Sequence, residues 1–383
     1  MQNFSFYNPT RIVFGRGAIG RLAELIPAEA RVLLTYGGGS IKRNGVYDQV
    51  MAALEGRIAA EFGGIEPNPH YETCMEAVEV CRRLGIDFLL AVGGGSVLDG
   101  TKFIAAAARF EGVDPWSIVV ERAPIREALP LGSVLTLPAT GSESNMNAVI
   151  TRVNVNQKRA FSSEHVIPRF AILDPETTFS LPPRQTQNGI VDAFVHVMEQ
   201  YMTYPAHAPL QDRQAEGILL TLIEEGPKAI VNPSDYDARA NIMWCATQAL
   251  NHLIGCGVPQ DWSSHMIGHE LTALYGVDHG QSLAVVLPSV LRHQRAKKAE
   301  KLLQYGQRVW GISEGDETAR IDAAIDKTEA FFRSLGVKTK LAEYGIVEGI
   351  EAVGQRIEER GAVLGEHNDI DRTEVDAILE ACR

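Results

Sequence analysis

Asp87-Phe88-Leu89-Leu90-Ala91-Val92 runs straight into Gly93-Gly94-Gly95-Ser96, and an apolar helical pattern from Leu98 to Ala108 follows. An uninterrupted apolar run of that length reads as a strand buried on both faces, and the glycines that end it before a helix make the whole a βα unit. The same grammar occurs earlier. Arg31-Val32-Leu33-Leu34-Thr35-Tyr36 meets Gly37-Gly38-Gly39-Ser40, and a helix passes through Asp48-Gln49-Val50-Met51. Further apolar runs at Val134-Leu135-Thr136-Leu137 and Phe170-Ala171-Ile172-Leu173 extend the series to a parallel sheet with helices on both faces. The expected fold class is therefore α/β, a Rossmann-like dinucleotide-binding domain over residues 1–181.

After Leu181-Pro182-Pro183 strand-like runs nearly vanish and apolar residues recur at helical spacing. Residues 182–383 are expected to form an all-helical domain. Its expected helices cover 192–204, 211–231, 237–253, 263–274, the stretch after His279, 299–310 and 319–335.

The composition narrows the partners. A hydrophobic share of 45% and a charged share of 22% over 383 residues are those of a globular protein large enough for two cores. A formal net charge of -12 argues against nucleic acid or an anionic membrane as the main partner, because both reward basic surfaces. There is no apolar run of membrane-spanning length and no signal-peptide pattern at Met1-Gln2-Asn3-Phe4-Ser5, so the expected location is the cytoplasm. The five cysteines are an odd number without a C-x-x-C pair, and are expected to be reduced.

A strand that ends in glycines before a helix lets the backbone approach a phosphate and points free N–H groups at it. Gly94, Gly95 and Ser96, with Asp99 just inside the helix, are the expected pyrophosphate cradle. The usual G-x-G-x-x-G fingerprint is absent. In nicotinamide-binding folds a carboxylate after the second strand takes the ribose hydroxyls of NAD. Here Gly37-Gly38-Gly39-Ser40 carries none, and Ser40, Lys42 and Arg43 offer a hydroxyl and positive charge instead, which favours NADP(H). The polar stretch Thr136-Leu137-Pro138-Ala139-Thr140-Gly141-Ser142-Glu143-Ser144-Asn145 follows another strand, so Thr136, Thr140 and Asn145 are expected on the nicotinamide side.

The helical half carries a second chemistry. Asp192 and His196 stand four residues apart, as do His265 and His269, and His279 follows after a break at Gly276. Four residues is about one helical turn, so each pair leaves one face of its helix. Histidines with one carboxylate suit Zn²⁺ or Fe²⁺ better than Mg²⁺ or Ca²⁺. Five candidates compete for about four places, and spacing alone does not name the spare.

In order and spacing, Phe62-Gly63-Gly64-Ile65-Glu66-Pro67-Asn68-Pro69, the Gly93–Asp99 and Thr136–Asn145 stretches, Asp192 to His196 and the three downstream histidines resemble the iron-type alcohol dehydrogenases. The resemblance spans nearly the whole chain and is nearer to the butanol dehydrogenase and NADPH-dependent aldehyde reductase branch. It implies an alcohol dehydrogenase acting mainly on small aldehydes, a cleft between the two domains and a homodimer. It also implies Asp192, His196, His265 and His279 as metal ligands, with His269 near the substrate, and adds Asn68 and Lys158 to the cofactor contacts. Zinc and iron both remain open. Dehydroquinate synthase shares the fold, but its phosphorylated acid substrate needs a strongly basic pocket. Around these ligands stand Trp262, Met266, Phe194, Leu271 and Tyr275 instead.

Overall fold

The computed structural model describes all residues from Met1 to Arg383. They divide into two compact units. One holds Tyr7–Leu181 and Pro233–Met243; the other holds Met1–Phe6, Pro182–Asn232 and Trp244–Arg383.

The α/β unit contains strands β1 (Arg11–Phe14), β2 (Val32–Tyr36), β3 (Ile58–Phe62), β4 (Phe88–Gly94), β5 (Leu131–Leu137), β6 (Asn147–Arg152), β7 (Gln157–Ser162) and β8 (Phe170–Leu173). Its helices are α1 (Leu22–Leu25), α2 (Val46–Ala53), α3 (Tyr71–Leu84), α4 (Gly95–Ala108) and α5 (Ser117–Val120). Six strands form a parallel sheet in the order β1-β8-β5-β4-β2-β3, and β6 and β7 form an antiparallel hairpin. The run that opens with Asp87 reads as continuously apolar because β4 is central. Leu89 and Ala91 enter a core with Phe103 and Ile104 of α4, while Phe88, Leu90 and Val92 enter another with Leu22 and Val50.

The sequence reading missed β1 and β3, the two edge strands. Edge position explains the silence: β3 alternates half-buried and exposed residues and contains Ala59, Ala60 and Glu61, so no apolar run marks it. From β2 the chain moves outward to β3, then returns to lay β4 on the other side of β2 and continues to β5. The winding direction therefore reverses between β2 and β4. Ligands of open α/β sheets bind at such a reversal, beyond the strand C-termini, and both glycine turns stand there.

The second unit consists of α6 (Pro183–Tyr201), α7 (Pro209–Val231), α8 (Tyr236–Ala249), α9 (Ser263–Tyr275), α10 (His279–His293), α11 (Ala299–Trp310), α12 (Glu317–Ser334), α13 (Glu351–Glu359) and α14 (Arg372–Ala381). The first half of α8 groups with the α/β unit, where Met243 joins a core. The first six residues group with the helices, and Gln2 N–H donates to Gly257 O at 2.8 Å. Helices α13 and α14 went unread because they are short and separated by glycine-containing loops. Val353, Ile357, Val375 and Ile378 nonetheless pack with Leu271 of α9 and Val286 of α10.

Candidate active site

Helix α6 is buried at every residue from Gly189 to Tyr201, so its polar side chains there must find partners inside the protein. Asp192 and His196 leave it one turn apart. His265 lies in the first turn of α9, and His279 is the first residue of α10. All three imidazoles turn Nε2 toward Asp192 Oδ1, at 3.4 Å from His279, 3.6 Å from His265 and 3.7 Å from His196. Four ligands at 2.0–2.2 Å from one tetrahedral cation stand about 3.3–3.6 Å apart, a range that His279 and His265 meet and that His196 just exceeds. Asp192 Oδ1 and His265 Nε2 are buried without a hydrogen-bond partner in the protein. That is the state of ligand atoms reserved for a cation.

The electrostatics act differently on the groups around Asp192. Burial raises the Asp192 carboxyl, but the charges of His196, His279 and His265 outweigh it and hold the group well below the usual carboxylate range. Burial pushes His196 down to about 4, against the pull of the Asp192 charge. At His265 burial opposes protonation, while Glu199 and Asp192 overcome it and push the ring up to about 9.

Glu199 was not foreseen. Its Oε2 pairs with His265 Nδ1, and its Oε1 accepts the backbone N–H of Ser264 at 2.6 Å and of His265 at 3.2 Å. One buried carboxylate thus seats the start of α9 and turns His265 Nε2 toward Asp192. The available signal was position: Glu199 lies three residues past His196 and seven past Asp192, on the same face of α6. Glu199→Gln is expected to weaken metal binding about 10–100-fold, measured by competition with a chromophoric chelator. An unchanged affinity would refute this role.

His279 is held from the other side. Its neighbour Asp278 receives two hydrogen bonds from Arg184 at 2.6 Å each and one from Asn188 at 2.8 Å. His269 stands beside these rings, its ring centre 5.0 Å from that of His279 and 6.2 Å from that of His265, where His265 and His279 are 5.2 Å apart. Trp262 flanks the other side, its ring centre 5.4 Å from His265 and 6.1 Å from His196. Its backbone takes the left-handed conformation at φ 63, uncommon for a bulky residue, and Nε1–H donates to Gln260 Oε1 at 2.8 Å. The geometry thus brings Asp192, His265 and His279 together, their ligand atoms all within 4.8 Å of one another, with His196 and His269 flanking them.

In the α/β unit the expected cofactor residues gather at the C-terminal edge of the sheet. Gly94 precedes the first turn of α4 with no side-chain cap, leaving that helix N-terminus suited to an anion. A Cβ at Gly95 would stand 2.4 Å from Thr140 Oγ1, so the turn after β4 and the loop after β5 touch only because residue 95 is glycine. Asn68, left-handed at φ 56, donates its N–H to Ser96 Oγ at 3.2 Å and brings the loop after β3 to the same place. Thr136 is nearly buried at the end of β5.

Three placements differ from the simple picture. Asp99 accepts Ser142 Oγ–H at 2.7 Å and Val149 N–H at 2.9 Å. Asn145 receives Lys102 Nζ at 3.0 Å. Lys158 is buried on β7, where its charge acts on Asp99. In the first turn, Gly37 and Gly38 follow β2 and Gly39 is left-handed at φ 80. Ser40 is exposed beside Lys42, whose Nζ is bound to Glu61 at 2.9 Å, and beside the Arg43 guanidinium, 4.0 Å from where a Gly39 Cβ would stand.

Comparison with known proteins converges on one family. Residues 9–175 match the model described as iron-containing alcohol dehydrogenase, and residues 186–382 match the C-terminal model of the Fe-containing alcohol dehydrogenase family. The chain belongs to the iron-containing alcohol dehydrogenase family. This family member is 59% identical to the NADPH-dependent aldehyde reductase YqhD of Escherichia coli over 100% of both chains. It is 42% identical, also over 100% of both, to a protein of Bacillus subtilis named probable NADH-dependent butanol dehydrogenase 1. The crystal structure of E. coli YqhD superposes with a TM-score of 0.98, covering 100% of this chain and 99% of that one at 58% identity.

Proposed function

We propose that this alcohol dehydrogenase works mainly as an NADPH-dependent aldehyde reductase, moving hydride between NADP(H) and small aldehydes or primary alcohols. The observation that carries the proposal is the convergence of three imidazoles on the unpartnered Asp192 Oδ1. Identity to YqhD across the full chain supports the cofactor and the direction.

A divalent ion, Zn²⁺ or Fe²⁺, held by Asp192, His196, His265 and His279 supplies Lewis acidity to the substrate oxygen. Asp192 contributes the single anionic ligand, so the set keeps a net positive charge toward that oxygen. Glu199 fixes His265, and the pairing of Asp278 with Arg184 and Asn188 fixes His279. His269, at the margin of the ligands, is assigned to orient the substrate or to pass it a proton as hydride arrives. Trp262 and Met266 supply apolar surface that excludes water, which strengthens the field at the carbonyl. On the nucleotide side, the N-terminus of α4 with Gly94, Gly95 and Ser96 takes the pyrophosphate, while Thr136, Thr140, Asn145 and Lys158 serve the nicotinamide half. Residues 1–181 are proposed as the dinucleotide domain and 182–383 as the metal and substrate domain.

Arg43 rather than Lys42 is assigned to the 2′-phosphate of NADPH, because Lys42 is already paired with Glu61. Arg43→Ala is expected to raise KM for NADPH about 10–100-fold, the worth of one charge-assisted hydrogen bond, and to leave KM for NADH within about threefold. Equal changes for the two cofactors would reassign Arg43.

The reading also includes a homodimer in the cytoplasm. It is supported by the exposed aromatic side chains of Phe6, Tyr7 and Phe14 near and on the edge strand β1, and no helix is long and apolar enough to cross a membrane. Sedimentation velocity tests the dimer. The central test is consumption of NADPH by the metal-loaded protein with butyraldehyde, matched by butanol formation. No turnover with any short aldehyde sinks the proposal.

A further inference from the structure

Lys102 is fully buried on α4. A buried ammonium is costly unless every proton finds an acceptor. Lys102 Nζ meets that demand entirely within one loop, donating to Asn145 O at 2.9 Å, Asn145 Oδ1 at 3.0 Å and Asn147 O at 2.8 Å. Asp99, one turn earlier on α4, takes the same segment on either side of those bonds, through Ser142 Oγ–H and Val149 N–H. Ser142 N–H in turn donates to Thr140 Oγ1 at 3.2 Å, and Thr140 is the residue that packs on Gly95. Burial draws the Lys102 ammonium down to about 8, with Asp99 and the buried Glu143 opposing the fall, so it is still charged at neutral pH.

We infer that Lys102 is a positioning residue for the dinucleotide: from the inside of α4 it sets the shape of the 140–147 loop, and through that loop it sets the affinity for NADPH without touching the cofactor. One helix then performs two tasks. Its N-terminus faces the pyrophosphate, and its buried side holds the neighbouring loop in register with that terminus. The inference rests on the assignment of Thr140 and Asn145 to the cofactor site.

The test compares Lys102→Met with Lys102→Gln by fluorescence titration of NADPH, with neither metal nor aldehyde present, alongside thermal unfolding. Methionine matches the lysine stem better but donates no hydrogen bond; glutamine is shorter but keeps an N–H₂ group. A positioning role predicts that NADPH Kd rises about tenfold or more in the Met variant and less in the Gln variant. Metal affinity should stay at the wild-type value in both. A space-filling role predicts the reverse order, and that order overturns the inference, as does an unchanged Kd in both folded variants. Should either variant fail to fold, Ser142→Ala decides, since it removes only the grip of Asp99 on the loop. It is expected to raise Kd about threefold, and no change there refutes the inference. Wild-type protein that fails to bind NADPH at all would instead refute the cofactor reading beneath it.

Discussion

Asp192→Ala is expected to reduce turnover of aldehyde by at least about a thousandfold, with bound metal falling from about one to below about a tenth per chain. Asp192 is the common point of the centre, since each of the three histidines faces its Oδ1 at 3.4 to 3.7 Å. It is also the only anion among the four proposed ligands. Without it, three imidazoles remain, and a cation placed among them would meet no anionic ligand. The nucleotide turns belong to the other compact unit, so NADPH Kd should remain within about twofold of wild type. That combination separates a metal ligand from a residue that merely supports the fold. Metal analysis, NADPH titration and turnover on one preparation are sufficient. A variant that keeps a full metal complement and a tenth of wild-type activity would falsify the ligand assignment.

The parts of the molecule that were legible in sequence share one property: their signal is local. β4 announces itself because burial on both faces removes every polar residue from six consecutive positions, and Asp192 with His196 is readable because one helical turn fixes their relation. The edge strands β1 and β3 carry no such signal, since half of each faces away from the core. The choice among five metal candidates depends on how α9 and α10 lie on α6, which only tertiary packing decides. Asp99 shows what residue type leaves out. A carboxylate just inside a helix after a glycine turn suggests a ligand contact, yet its position on α4 points it at Ser142 and Val149. Lys42 is similar: its charge was readable, and its engagement by Glu61 was not. Lys102 acts through other residues and nothing in its spacing marks that work, while Glu199 shows a face shared with Asp192 and His196 but not its pairing with His265, 66 positions away.

Gly280→Ala is expected to weaken metal binding about a hundredfold through a residue that touches no metal. A Cβ at this position would stand 2.5 Å from the carbonyl oxygen of Asn188, 2.8 Å from its Cα and 3.0 Å from its carbonyl carbon. Those atoms are backbone of α6, so no side-chain rotation relieves the contact. The start of α10 must move away from α6, or α6 must bend. Either movement reaches the metal centre directly, because His279 precedes Gly280 in the chain and Asn188 lies one turn before Asp192. Overpacking of this kind costs on the order of 1–3 kcal/mol of stability, so the folded fraction should remain high. Gly268→Ala is the natural control. Its Cβ would meet side-chain atoms only, Ser282 Oγ at 2.9 Å and Leu283 Cδ2 at 3.2 Å, which yield more cheaply than backbone even though that hydroxyl donates to His279 O at 2.8 Å, and its helix carries His265. The two variants should therefore differ in metal affinity far more than in thermal midpoint, as read by chelator competition and calorimetry. Equal losses of affinity would mean that the approach of α10 to α6 at Gly280 is not what sets the distance between His279 and Asp192.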